Sequence, residues 1–127
     1  MANNRRRGNQ FERDTVIDLR PIFPKVTTSR NASKLLDDSK VDIANIPLRI
    51  QCKLGYKTNR PKFDLIKKEC DELCQKNFLK SDPIIDTPFL LRHKLERNDM
   101  LTMEWKFFLI LLESYVSNNK EKFENYI

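Results

Sequence analysis

The chain has 127 residues, enough for one domain with a real core. Two glycines, six prolines, 33% charged and 39% apolar residues exclude a fibrous or low-complexity protein, and no run approaches the roughly 18 apolar residues of a membrane span. The net charge of +6 suggests a polyanionic partner.

No apolar secretory core opens the sequence, so a cytoplasmic location is expected, that of the host if the protein is viral. The three cysteines, Cys52, Cys70 and Cys74, are odd in number and lack a second Cys/His pair to complete a zinc site. They read as reduced thiols.

Residues 1–8 carry Arg5-Arg6-Arg7 and no acid. They read as a flexible basic arm, either touching phosphate or simply solvated. Phe11, Val16 and Leu19 recur at helix-like intervals and predict a first helix over 9–20, ended by Pro21. The β-branched stretch before Arg30 predicts a first strand. Residues 31–40 are polar and read as a loop, in which Asp37 and Asp38 serve as turn residues or as supports for the acid that follows.

Val41–Gly55 predicts two short strands joined by a turn bearing Asn45 and Pro47. Asp42 stands on the first strand; Gln51, Cys52 and Lys53 stand on the second. Side chains two apart on a strand share a face, so Gln51 and Lys53 point one way and Cys52 the other. A hairpin brings Asp42 alongside them. Carboxylate, amide oxygen and ammonium at one spot suit metal-dependent phosphodiester cleavage.

Lys57, Arg60 and Lys62 follow, either extending a basic track or forming a solvated loop. Pro61, Phe63, Ile66, Cys70, Leu73 and Cys74 predict a helix over 61–79, whose mixed-sign outer face is solvent. Phe89-Leu90-Leu91 predicts a buried strand. The lone histidine, His93, sits among basic neighbours and reads as a surface or capping residue. A turn at 97–99 leads to a short strand at 100–102. Trp105–Val116 predicts a helix apolar almost all round, which implies deep burial or a homodimer contact. From Ser117 the chain is a polar, frayed tail.

Asp42 followed by Gln51-x-Lys53 resembles the PD-(D/E)xK nuclease superfamily, and the similarity extends over residues 9 to 115. That resemblance implies a further acidic ligand on the first helix, where Glu12 lies. Arg30-Asn31-Ala32-Ser33 resembles the Arg-x-x-Ser segment of archaeal Holliday-junction resolvases, which implies phosphate contacts by Arg30 and Ser33. Small phage-encoded endonucleases of the group are also similar, some with Gln where Glu is usual. Two positions depart from the pattern. Val41 replaces the nominal Pro, and Gln51 replaces the acid, which removes one negative charge from the metal site.

The element order predicts an α/β domain over 9–116, followed by the polar tail 117–127. The resemblance implies a restriction-endonuclease-like central mixed sheet flanked by helices. It further implies Mg²⁺, replaceable by Mn²⁺, held by Glu12, Asp42, Gln51 and the Cys52 carbonyl, with Lys53 as the catalytic cation. Arg30, Ser33, Lys57 and Arg60 are the DNA-binding candidates. The expected function is a structure-selective DNA endonuclease acting on branched or duplex DNA. The alternative is a DNA-binding protein on the same scaffold, weakened or inactivated by Gln51. A third possibility is a viral assembly factor whose apolar last helix serves a protein partner.

Overall fold

Helix α1 spans Ala2–Leu19. The computed structural model describes residues 2–56 and 60–127, with the backbone alone for residues 2, 3 and 56. Residues 1–8, expected as an arm apart from the helix, are from Ala2 onward its first turns. Phe11, Thr15 and Val16 are buried at helical spacing and form its inner stripe. Pro21 blocks continuation, and the Leu19 carbonyl accepts the N–H groups of Ile22 and Phe23.

Strand β1, Thr27–Thr28, pairs antiparallel with β2, Ile43–Ala44. Between them the expected loop is instead two short helices, α2 (Ser29–Ala32) and α3 (Lys34–Asp38). Ser33 makes the second possible, because its Oγ accepts the Leu36 N–H at 3.3 Å.

Strand β3, Arg49–Tyr56, runs parallel to β4, Phe89–Leu95, and β4 pairs antiparallel with β5, Asn98–Met103. A parallel pair needs a crossover, and α4, Phe63–Asn77, supplies it. The fold is therefore mixed α/β, but its strands form two small sheets, β1-β2 and β3-β4-β5. The expected β2–β3 hairpin is reduced to a backbone hydrogen bond from Asp42 N–H to the Ile50 carbonyl at 2.8 Å. Asn45 turns the chain there with φ 66, and its Nδ2 donates to the Lys25 carbonyl at 3.1 Å.

The three-stranded sheet separates two apolar layers. Ile50, Leu90 and partly buried Cys52 face α1 with Val16, Val26 and Ile43. Phe89 and Leu91 face α4 with Cys70, Cys74 and Val41. Cys70 and Cys74, one turn apart, are free thiols that fill this second layer as small apolar groups.

Arg49 and His93 are among the polar residues buried in the interior. Arg49 keeps only 4% of its side chain exposed because Asp71 pairs with it at 2.7 Å, the Thr87 carbonyl accepts from Nε and Nη2, and Phe89 lies beneath. His93, expected at the surface, is 2% exposed, with Nε2 lying 3.1 Å from Thr102 Oγ1.

Helix α5, Trp105–Ser117, buries no residue. The polar tail forms α6, Lys120–Phe123, and a 3₁₀ turn, Glu124–Tyr126. No helix among the described residues is long and apolar enough to cross a membrane.

Candidate functional site

Asp42 leads into β2 and holds the adjoining strand through both its backbone and its side chain. Its Oδ2 accepts the Cys52 N–H at 2.8 Å. Because α1 packs across β3, Glu12 on that helix arrives beside Asp42. Arg30 from α2 closes the corner, its Nε donating to Glu12 Oε2 at 2.9 Å. Asp37 on α3 adds a third negative charge within electrostatic reach of both acids, and Lys53 on β3 adds a positive one near Asp42.

The electrostatics of this corner are under-neutralised. Burial is the largest influence on Asp42, raising its carboxyl to about 7. The Cys52 N–H and the Lys53 ammonium act against burial, while the charges of Glu12 and Asp37 act with it. Glu12 is also raised, by burial first, even though the Arg30 hydrogen bond and charge pull it down. Two or three acids crowd into a partly desolvated corner, and the nearby cations do not balance them.

Gln51 and Lys53 occupy the same face of β3, as the alternation requires. Gln51 is 5% exposed, and its Oε1 is buried with no hydrogen-bond partner. Such an acceptor lacks compensation for the water it has lost. Thr28 Oγ1 and Ser29 Oγ are likewise buried without partners, and the Ser29 N–H donates to the Asp42 carbonyl at 2.8 Å. Surplus negative charge at Asp42 and Glu12 fits a hard divalent cation, which takes oxygen ligands. Gln51, level with Leu91 in the sheet, turns its amide to the α4 side and away from α1. Among the described residues no group of three or more His, Cys, Asp or Glu side chains is arranged to hold a metal.

Cys52 turns its side chain the other way. Its Sγ lies 3.7 Å from Thr15 Oγ1, and burial, then the Asp42 charge, pushes the thiol up to about 12. Only its backbone belongs to the site. Arg92 covers this flank, donating from Nε to Thr15 Oγ1 at 2.8 Å and lying over the Phe11 ring.

The remaining DNA-binding candidates are dispersed. Ser33 is a helix cap, and the Arg30 guanidinium lies on Glu12. Arg60 is exposed ahead of α4, and its charge adds to burial in holding His93 below the ordinary imidazole value. Lys57 lies outside the described residues. Sequence reasoning placed Asp37 in a loop and passed over the hydroxyls of Thr28 and Ser29. Only the β-branched, polar composition of 27–29 hinted at them.

No protein-family model matches the sequence, and no curated protein or solved structure matches the chain.

Proposed function

We propose that this protein is a metal-dependent deoxyribonuclease of PD-(D/E)xK character, cutting DNA by its structure rather than its sequence. One observation carries the reading: Asp42, raised towards neutrality by burial and by neighbouring Glu12 and Asp37, stands near Lys53. Acids perturbed by burial and by specific neighbouring charges are candidates for a functional site.

Asp42, Glu12 and the Cys52 carbonyl would hold Mg²⁺ or Mn²⁺. A divalent cation there supplies Lewis-acid stabilisation of the charge developing on the phosphoryl oxygens. Lys53 presents its ammonium to the same charge or orients the attacking water. Arg30 keeps Glu12 facing the corner. The exposed Arg5, Arg6, Arg7 and Arg60 offer phosphate contacts that carry no base information, which favours recognition of DNA shape.

The neutral Gln51 favours a second reading, a DNA-binding protein of weakened or lost activity, because the amide brings no charge to the cation. A cleavage panel of four-way junction, flap, nicked and plain duplex DNA with Mg²⁺ and Mn²⁺ tests both. Cleavage lost in Asp42→Asn and in Lys53→Ala, with DNA binding kept, supports the nuclease. Metal-independent binding without cleavage of any substrate supports the second reading. Cleavage unchanged in both variants removes the site.

A further inference from the structure

Helix α5 is anchored through Phe107 and leaves most of its other apolar side chains exposed, with Val116 partly buried. Phe107 packs into the α1-side core. The opposite side carries Trp105, Leu109, Leu112 and Val116, spaced four, three and four apart in the pattern of a helix-pairing seam. Trp105 is 70% exposed, Leu109 44% and Leu112 39%. Phe108 and Tyr115 flank the seam on one edge and are also exposed. The other edge carries the helix's only charged side chains, Lys106 and Glu113, both exposed.

Those two charges select the occupant. They are seven residues apart, two turns, and so share one edge of the seam. We propose that α5 pairs antiparallel with α5 of a second copy of this chain, Lys106 of each copy meeting Glu113 of the other. A twofold axis near the middle of the helix sets Leu109 against Leu112 of the second copy and Trp105 against Val116, and it forms the ion pair twice. Parallel pairing turns the charged edge of each copy towards the Phe108 and Tyr115 edge of the other, so neither Lys106 nor Glu113 gains an oppositely charged partner. A different protein would have to match a face that already matches itself. This pairing is independent of the nuclease reading.

A helix of 13 residues is about 20 Å long, which makes a small interface of the weak, reversible kind. Sedimentation of the full chain over roughly 1 to 200 µM should show monomer passing to dimer. Trp105 is the only tryptophan, so its emission should shift to the blue over the same range, a reading that needs no variant. Lys106→Glu and Glu113→Lys each turn two attractive contacts into repulsive ones and should weaken self-association about tenfold or more. Mixed in equal amounts, the two variants have complementary edges and should regain wild-type association as a heterodimer. The double exchange within one chain should also regain it.

Circular dichroism establishes that each variant is folded. A monomer throughout with constant Trp105 emission overturns the proposal. Single reversals without effect, or a mixture that stays monomeric, also overturn it by placing the contact elsewhere or in the parallel sense.

Discussion

Asp42 Oδ2 accepts the Cys52 backbone N–H at 2.8 Å, while the Asp42 N–H donates to the Ile50 carbonyl at the same distance. One residue thus ties the start of β2 to β3 at a place with no continuous ladder. The tie fixes the carboxylate in the half-buried corner beside Glu12 and Asp37. Strand register and site electrostatics therefore depend on the same side chain.

That coupling makes Asp42 a pH-dependent liability in the metal-free protein. Its folded-state carboxyl titrates near 7 against 3.8 ordinarily, chiefly through burial. A raised acid contributes fully to stability below its unfolded value, and the contribution is lost as pH rises through the folded one. Asp42→Asn keeps an acceptor for Cys52 but has no charge. In EDTA it should be more stable than wild type by about 1–4 kcal/mol at pH 8.5, the gap closing towards pH 4. Urea unfolding at stepped pH measures the difference. A pH-independent gap would show that the carboxylate is not desolvated.

Gln51→Glu tests the orphaned amide oxygen. The added carboxylate should destabilise the metal-free chain, since Gln51 is 5% exposed and a buried charge is costly. Mn²⁺ should not reverse the loss, because the position 51 side chain turns to the α4 side and away from α1. Calorimetric titration, with melting temperature as a second readout, checks both. Mn²⁺ binding about tenfold tighter in the variant would mean that the position 51 oxygen faces the ion.

The long elements were legible because their periodicity is strong. The Phe63–Cys74 stripe marks α4, alternation marks β3, and the apolar run Phe89-Leu90-Leu91 marks β4. His93 carried the same signal, two residues beyond buried Leu91, but Arg92 and Lys94 on either side suggested solvent. The helices α2 and α3 were not legible. They have no apolar stripe, and a single Ser33 cap organises the polar run. Two-residue strands such as β1 and β2 are too short to show a period. Within the site, Gln51 and Lys53 share a face by simple alternation. The meeting of Glu12 and Asp37 with Asp42 depends on how α1 and α3 pack, which local spacing does not encode. Arg49 shows the same limit, because its partner Asp71 is 22 residues away.

The Arg49–Asp71 pair should matter to stability rather than to DNA. Asp71→Ala leaves the guanidinium, 4% exposed, with the Thr87 carbonyl as its remaining strong acceptor. The cost should be about 1–3 kcal/mol, discounted from a fully buried pair because Asp71 itself meets water. Lys67→Ala removes the more exposed partner of Asp71 and should cost less than about 0.5 kcal/mol. Denaturant titration ranks the two, and equal losses would contradict the burial argument.

The N-terminal arginines should act through their helical placement. Arg5 lies seven residues before Glu12 on α1, the same face two turns away, about 10 Å along the axis. Arg7 and Asn4 border a shallow recess with Leu54 and Gly55 at the end of β3, just beyond Lys53. Phosphates entering the corner would pass these turns. Replacing Arg5, Arg6 and Arg7 by alanine should lower the salt slope of duplex binding by up to about 0.9 for each phosphate no longer neutralised. Charge alone would give that result, so Gly8 separates charge from geometry. A methyl at Gly8 meets no atom within 4 Å, and Gly8→Ala should firm the helix by about 0.5–1 kcal/mol. Gly8→Pro should unpick the turns before it while keeping all three arginines. DNA affinity should therefore rise slightly in Gly8→Ala and fall in Gly8→Pro, although net charge is identical. Equal affinities in the two variants would reduce the arginines to a diffuse charge, and an unchanged slope in the triple alanine protein would remove them from the DNA path.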